Sequence, residues 1–300
     1  MVEMKKSIRK KSVSIFNIFN YIGFFLFTFL CIFPFYYIFI NTISDNDLVA
    51  RGVINFVPRG LHVKNYIALR SVNDLMKSFI VTTTRTVIGT SLMVMASAFI
   101  GYLVTKKEMK SRKFMYRFLI ITMYFNAGII PWYLTISMLG LTDNILGYII
   151  PGIVAPFNII LVKTYIESIP KELEESAFID GAGYFKVFRS IILPLCKPIL
   201  ATIAVFGAVG HWNSFIDSII LMQNSPGLYT LQHRLFIYLT TASNIEQIIQ
   251  SSPGSTVSHV LNLKVLKYTI SMVTIIPILV VYPFMQRYFQ KGIMLGAVKG

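Results

Sequence analysis

The sequence predicts an all-α, polytopic membrane protein with six transmembrane helices, on three observations. Of its 300 residues 55% are hydrophobic and 14% charged, against roughly 25% charged in a soluble domain, which leaves too little polar surface to face water all round. Six apolar stretches, about 16–41, 78–104, 114–134, 144–162, 198–222 and 267–289, are long enough to cross a hydrocarbon core about 30 Å thick as helices of roughly 20 residues. Basic residues gather at alternate ends of those stretches, as the Lys and Arg bias of cytoplasmic loops requires.

The first stretch follows Lys5, Lys6, Arg9, Lys10 and Lys11. Its apolar run from Ile15 to Ile43 is far longer than the roughly 7–15 residues of a signal-peptide core and has no small-residue cleavage site, so it is expected to be a retained span. Lys106, Lys107, Lys110, Arg112 and Lys113 separate the second and third stretches and put that loop in the cytosol. The turn near Leu141–Asn144 has no basic residue and falls outside. The loop around 163–197 falls inside, as does the tail with Arg287, Lys291 and Lys299. Both termini are therefore expected in the cytosol.

Two longer outer segments remain. Residues 42–74 hold Asp45, Asp47, Arg51, Arg59, Lys64, Arg70 and Asp74, close to charge balance. Residues 223–263 carry two loop signals, Ser225-Pro226-Gly227 and Ser251-Ser252-Pro253-Gly254. Between them Leu228–Gln250 is expected to be a helical hairpin or an interfacial helix. One transmembrane domain is expected over 1–300, with a core at about 75–290, an N-terminal tail and first span at 1–41, and a cytosolic loop at about 163–197.

The net charge of +15 does not point to nucleic acid, because the basic clusters flank spans, where they also favour anionic lipid. Cys31 falls inside the first span and Cys196 beside the cytosolic loop, so they are not expected to pair. His211, His233 and His259 lack metal-ligand spacing.

The polar stretch from Pro170 is the most informative part of the chain. Pro170 suits the first turn of a helix, and Glu172, Glu174 and Glu175 place negative charge at its positive end. The helix is expected to run to about Ile179. Asp180-Gly181 then ends it, with Gly181 in a left-handed conformation. A second helix from about Ala182 presents Tyr184, Phe188, Ile191, Ile192 and Leu195 on one face, and Pro194 and Pro198 bend the chain as it re-enters the membrane. By composition alone, an amphipathic loop lying on the bilayer fits as well as a docking element.

The spacing Glu175-Ser176-Ala177, then Gly181, then Ile191-x-Leu193-Pro194 resembles the cytoplasmic EAA loop of the membrane-spanning subunits of ABC importers. Further segments resemble the carbohydrate-uptake branch of the type I family, close to maltose and Gram-positive oligosaccharide permeases. They are Arg85-Thr86-Val87-Ile88-Gly89-Thr90, Asn126-Ala127-Gly128-Ile129-Ile130-Pro131, Trp212-Asn213-Ser214-Phe215 and the C-terminal run from Pro283-Phe284 through Gly300. Lys77-Ser78 departs from the family's Asn-Ser.

The resemblance implies the type I importer fold and a permease that forms the path for a sugar or oligosaccharide. It implies a coupling helix that sits in a cleft on an ATPase through Glu174, Glu175, Ser176, Ala177, Asp180, Gly181 and Ala182. The implied partners are a second permease subunit, two ATP-binding subunits and an extracytoplasmic solute-binding lipoprotein, in a bacterial cell membrane. No cofactor is expected on this chain. ATP and Mg belong to the partner ATPase, since no phosphate-binding Gly-x-x-x-x-Gly-Lys-Ser/Thr loop occurs, and the chain is expected not to be an enzyme.

Candidate pathway residues are Asn126, Asn213 and Asp217, because polar groups within spans rarely face lipid, with helix–helix hydrogen bonding the rival role for each, and Trp212, an aromatic face for a sugar whose rival role is anchoring at the membrane interface. Arg85 is expected to snorkel to the interface rather than meet substrate. The alternatives are a permease for a peptide or amino acid and an ion-coupled secondary transporter, which would need intramembrane acids of which only Asp217 comes near.

Overall fold

Helices account for nearly all of the regular structure in the computed structural model, which describes residues 15–69, 74–251 and 264–283 and has no strand among them. The N-terminal basic cluster, Arg70, Ser252-Pro253-Gly254, His259 and the run from Phe284 onward lie outside the described residues.

The described residues divide into two compact units. One holds the chain up to Tyr66 together with the start of the last described helix, as far as Met272. Its first helix, α1 (Ile15–Thr42), carries Pro34 inside and exposes most of its side chains, among them Phe16, Phe19 and Phe25. A helix apolar on every side suits lipid, where Pro is tolerated. Short helices α2 (Asn46–Ala50) and α3 (Lys64–Ala68) follow. Asp45 Oδ1 caps α2 by accepting the N–H groups of Asp47 and Leu48 at 3.0 and 3.2 Å. The unit's core is Ile40, Val49, Ile54 and Val265.

The second unit is arranged around α4 (Leu75–Thr105). Leu75, Ser78, Thr82, Arg85, Gly89, Met93, Ser97, Gly101 and Val104 recur every three or four residues along its buried stripe. Against α4 pack α8 (Pro156–Glu167) and α12 (Lys197–Asn213). Small residues set these approaches: a Cβ on Gly101 would lie 3.1 Å from Val162 Cγ1, and one on Gly207 2.6 Å from Met93 Cε.

Two of the predicted spans, 16–41 and 78–104, are single helices in full. A third helix, Lys264–Pro283, is also long and apolar enough to cross a membrane. The middle three predicted spans are each interrupted. Stretch 114–134 is α5 (Arg112–Tyr124) and α6 (Ile129–Met138), parted by an extended segment in which Gly128 takes φ +88° and its N–H bonds Asn126 Oδ1 at 2.9 Å. Stretch 144–162 is α7 (Leu146–Ile149), a 3₁₀ turn at Ile150–Gly152 and α8, bent by 43° where Pro156 opens α8. Stretch 198–222 is α12 and α13 (Ile216–Leu221), separated at Ser214-Phe215.

Leu228–Gln250 resolves to one helix, α14 (Leu231–Ser251), after a 3₁₀ turn, and not a hairpin. Cys31 and Cys196 are free, one exposed and one buried.

Candidate functional site

Residues 170–197 form a helix–turn–helix whose two sides differ. The first helix, α9 (Glu172–Ile179), carries Glu172, Glu174 and Glu175 in its first turn, where the dipole favours negative charge. It begins two residues after Pro170. Gly181 at φ +76° ends the helix: its N–H bonds Phe178 O at 3.0 Å, and Ala182 N–H bonds Ala177 O at 2.9 Å. The reversal brings the Phe178 and Tyr184 rings to 4.9 Å, edge to face.

The return arm is α10 (Tyr184–Val187), a π-helical turn at Phe188–Ile192 and α11 (Leu193–Leu195). Pro194 lacks an N–H and its ring crowds the carbonyl four residues earlier; a wider turn just ahead of it relieves both. That extra residue per turn rotates the buried stripe. Val187, Ile192 and Cys196 are buried, whereas Tyr184 and Leu195, expected on the apolar face, are 47% and 41% exposed. The chain then bends by 78° into α12, which carries Pro198 in its first turn.

The inner side of this element is anchored to the end of α4. Lys106 pairs with Glu174 and lies 4.1 Å from the centroid of the Tyr102 ring. Tyr102 is buried, and its hydroxyl donates to Tyr184 O at 3.3 Å. Phe188 packs on Tyr102 at 5.2 Å and on Phe99 at 5.7 Å.

The outer side is open. Glu172, Glu175, Ser176, Asp180 and Gly181 are exposed, with Ala177 and Ala182 half-buried behind them. At its tip stand Ile179, 86% exposed, and Phe185, 67% exposed. Nothing lies within 4 Å of a Cβ built on Gly181.

A second polar locus lies within the spans. Arg85 is buried and does not snorkel: its Nη2 donates to Asp217 Oδ2 at 2.6 Å, and its guanidinium sits 4.4 Å from the Tyr148 ring centroid. Asp217 also accepts from Ser214 Oγ and from Ser218 N–H, both at 2.9 Å. Beside it, Ser218 Oγ lies 2.8 Å from the Tyr148 hydroxyl and 2.9 Å from His233 Nδ1. His211 fills a slot that only glycine leaves open, since a Cβ on Gly89 would lie 2.6 Å from its Nε2.

The four pathway candidates therefore separate. Trp212 is buried and donates its indole N–H to Thr274 O at 3.1 Å, and Asp217 is taken up by Arg85. Asn213 is exposed and accepts from Gln232 Nε2 at 3.2 Å. Asn126 is exposed at the α5–α6 break, lining an open cavity of ≈ 480 Å³ with Asn158, Ala155 and Pro156. Sequence reasoning missed Lys106, Tyr102 and the Ser218 network. Lys106 carried a usable signal, since it is the first cation past a helix C-terminus, where the dipole holds one.

Residues 3–295 match the family described as binding-protein-dependent transport system inner membrane component. The chain is 32% identical over 274 residues to protein LplC of Bacillus subtilis, covering 90% of each. It is 30% identical over 278 residues to the polygalacturonan/rhamnogalacturonan transport system permease protein YtcP of the same organism, covering 92% of this chain and 95% of that one. A chain from the crystal structure of a bacterial ABC transporter involved in the import of the acidic polysaccharide alginate superposes with a TM-score of 0.82 at 28% identity, over 94% of this chain and 99% of that chain.

Proposed function

We propose, since this chain belongs to the family of binding-protein-dependent transport system inner membrane components, that it forms half of a translocation path for a sugar or oligosaccharide. As a member of that family it is a multi-pass membrane permease with the type I ABC importer fold, and ATP hydrolysis belongs to another chain. The saccharide assignment is supported by the polygalacturonan/rhamnogalacturonan and alginate transport of its relatives.

In this reading residues 170–197 are the coupling element, and the element's outer side seats in a cleft on an ATPase. The observation that carries it is the pair of highly exposed apolar side chains, Ile179 and Phe185, on either side of the Gly181 turn. Solvent alone gives no reason to hold two large apolar groups at a tip; a partner's pocket does. Glu175 supplies the polar contact, and Gly181 the close approach. The six apolar stretches make six crossings with both termini in the cytosol, the middle three bent or interrupted as in transporters whose paths run past broken helices.

The assembly proposed has one sister permease, two ATP-binding subunits that bind ATP and Mg, and an extracytoplasmic lipoprotein that delivers solute to the outer segments. Rigid-body closure of the ATPases rocks the spans between inward- and outward-open states. Asn126 and Asn213, exposed within the spans, are the pathway residues this geometry supports. The test is to purify the assembly through a tag on this chain and add oligogalacturonides and neutral oligosaccharides to it in lipid. An ATP-binding subunit should co-purify, and one saccharide class should stimulate hydrolysis. An assembly without ATPase, or one stimulated only by peptides, would count against it.

A further inference from the structure

The contacts behind the coupling element form a clamp that the docking function does not require. Lys106 is the C-terminal cap of α4, its side chain only 13% exposed. It reaches Glu174 on α9, the one acidic residue in that first turn turned away from solvent, at 17% side-chain exposure. One turn back, Tyr102 holds the other arm through Tyr184 O and the Phe188 ring. The end of α4 therefore grips both sides of the Gly181 turn: α9 through a charge pair and α10 through a hydrogen bond and ring packing. The ammonium lies over the Tyr102 ring, so the two grips share one cation, and a partly desolvated cation–π contact strengthens both. An α-helix is stiff along its axis, so a displacement at its clamped end is delivered along the 31 residues of α4.

We infer that Lys106, held between the Tyr102 ring and the Glu174 carboxylate, is a positioning residue that makes α4 move as one body with the coupling element. This rests on the coupling role proposed above, and the two are separable by experiment. Of the acids in the first turn of α9, Glu172 and Glu175 then face the partner, while Glu174 faces its own chain.

The test places spin labels at Ile88 on α4 and at Leu173 on α9, which is 43% exposed and outside the docking surface, with Cys31 replaced by serine and Cys196 left buried. Distances are measured in the co-purified assembly without nucleotide and after trapping with ATP and vanadate. The parent should give one distance, the same in both states. Lys106→Met should hydrolyse ATP near the parent rate but show a broadened distribution that shifts by several ångströms on trapping. Lys106→Arg, which keeps the charge and the ring contact, should behave as the parent. An unchanged, narrow distance in Lys106→Met would overturn the inference while leaving the coupling reading intact. So would loss of assembly in Lys106→Met, which would mark the residue as structural only. A parent assembly with no ATPase to trap would sink the coupling reading and this inference together.

Discussion

Arg85 and Asp217, 132 positions apart, close on each other inside the spanning bundle with Nη2 2.6 Å from Oδ2 and Nη1 3.3 Å from Oδ1. The pair joins α4 to the start of α13, and Tyr148 of the 144–162 segment covers the guanidinium. With side-chain exposures of 2% for Arg85 and 17% for Asp217, a lone charge here is poorly solvated, so each group depends on the other. Asp217→Asn or Arg85→Met should destabilise the protein by about 3–5 kcal/mol, measured by denaturant titration in detergent. The double variant Arg85→Met with Asp217→Asn should recover most of that loss, because no buried charge is then left unpaired and the amide oxygen still accepts from Ser214 Oγ and Ser218 N–H.

Ile179 and Phe185 act as anchors if they enter a partner pocket. Ile179→Ala should weaken capture of the ATPase by about 2 kcal/mol, roughly thirtyfold, with no change in the chain's own thermal stability, since the side chain is 86% exposed. A pull-down titration against the ATP-binding subunit, with a melting curve alongside, checks both halves.

Gly101 lets α4 approach α8 closely. Gly101→Leu would push its side chain into Val162 and the Ile159 carbonyl, 3.1 and 3.3 Å from where its Cβ must sit. The cost should be about 1–3 kcal/mol, read as a lower unfolding midpoint in detergent. Gly23, with nothing within 4 Å, is the matched control: Gly23→Leu should leave the midpoint unchanged.

The ion pair at Arg85 was not legible in the sequence, and the clamp at Lys106 was legible only in its cation, not in the partners it holds. Both depend on contacts far along the chain, and α4 is apolar on nearly every side, so periodicity does not say which residue faces which neighbour. The Gly181 turn was legible, because glycine after Asp180 at a helix end answers a local steric demand, and its φ of +76° meets it. The span interruptions were half legible. Asn126-Ala127-Gly128 and Pro156 are visible breakers, but twenty apolar residues fit a straight helix equally well until neighbours supply partners for the freed backbone groups. Glu174 and Glu175 are equivalent by composition; only the position of Lys106 distinguishes them.

Asp143 should give the turn between α6 and α7 a dependence on acid. Its carboxylate accepts from Asn224 Nδ2 at 3.0 Å and Asn224 N–H at 2.9 Å, and the Asn224 side chain holds its pKa below the ordinary 3.8. A lowered pKa contributes stability that is present above the unfolded value and lost as pH falls through the folded one. Exchange at the Asn224 amide, followed by hydrogen–deuterium exchange mass spectrometry with the intrinsic pH effect removed, should stay flat from pH 7 to about 4 and rise below it. Asp143→Asn should abolish that rise.

The most direct test of the coupling claim is a photo-crosslinker at Ile179 in the assembled complex within native membrane. Docking on an ATPase predicts one dominant adduct with the ATP-binding subunit, diminished in Gly181→Asn, where the residue tolerates a left-handed backbone but fills the approach. Adducts with lipid alone, or labelling of that position from outside the cell, would contradict it.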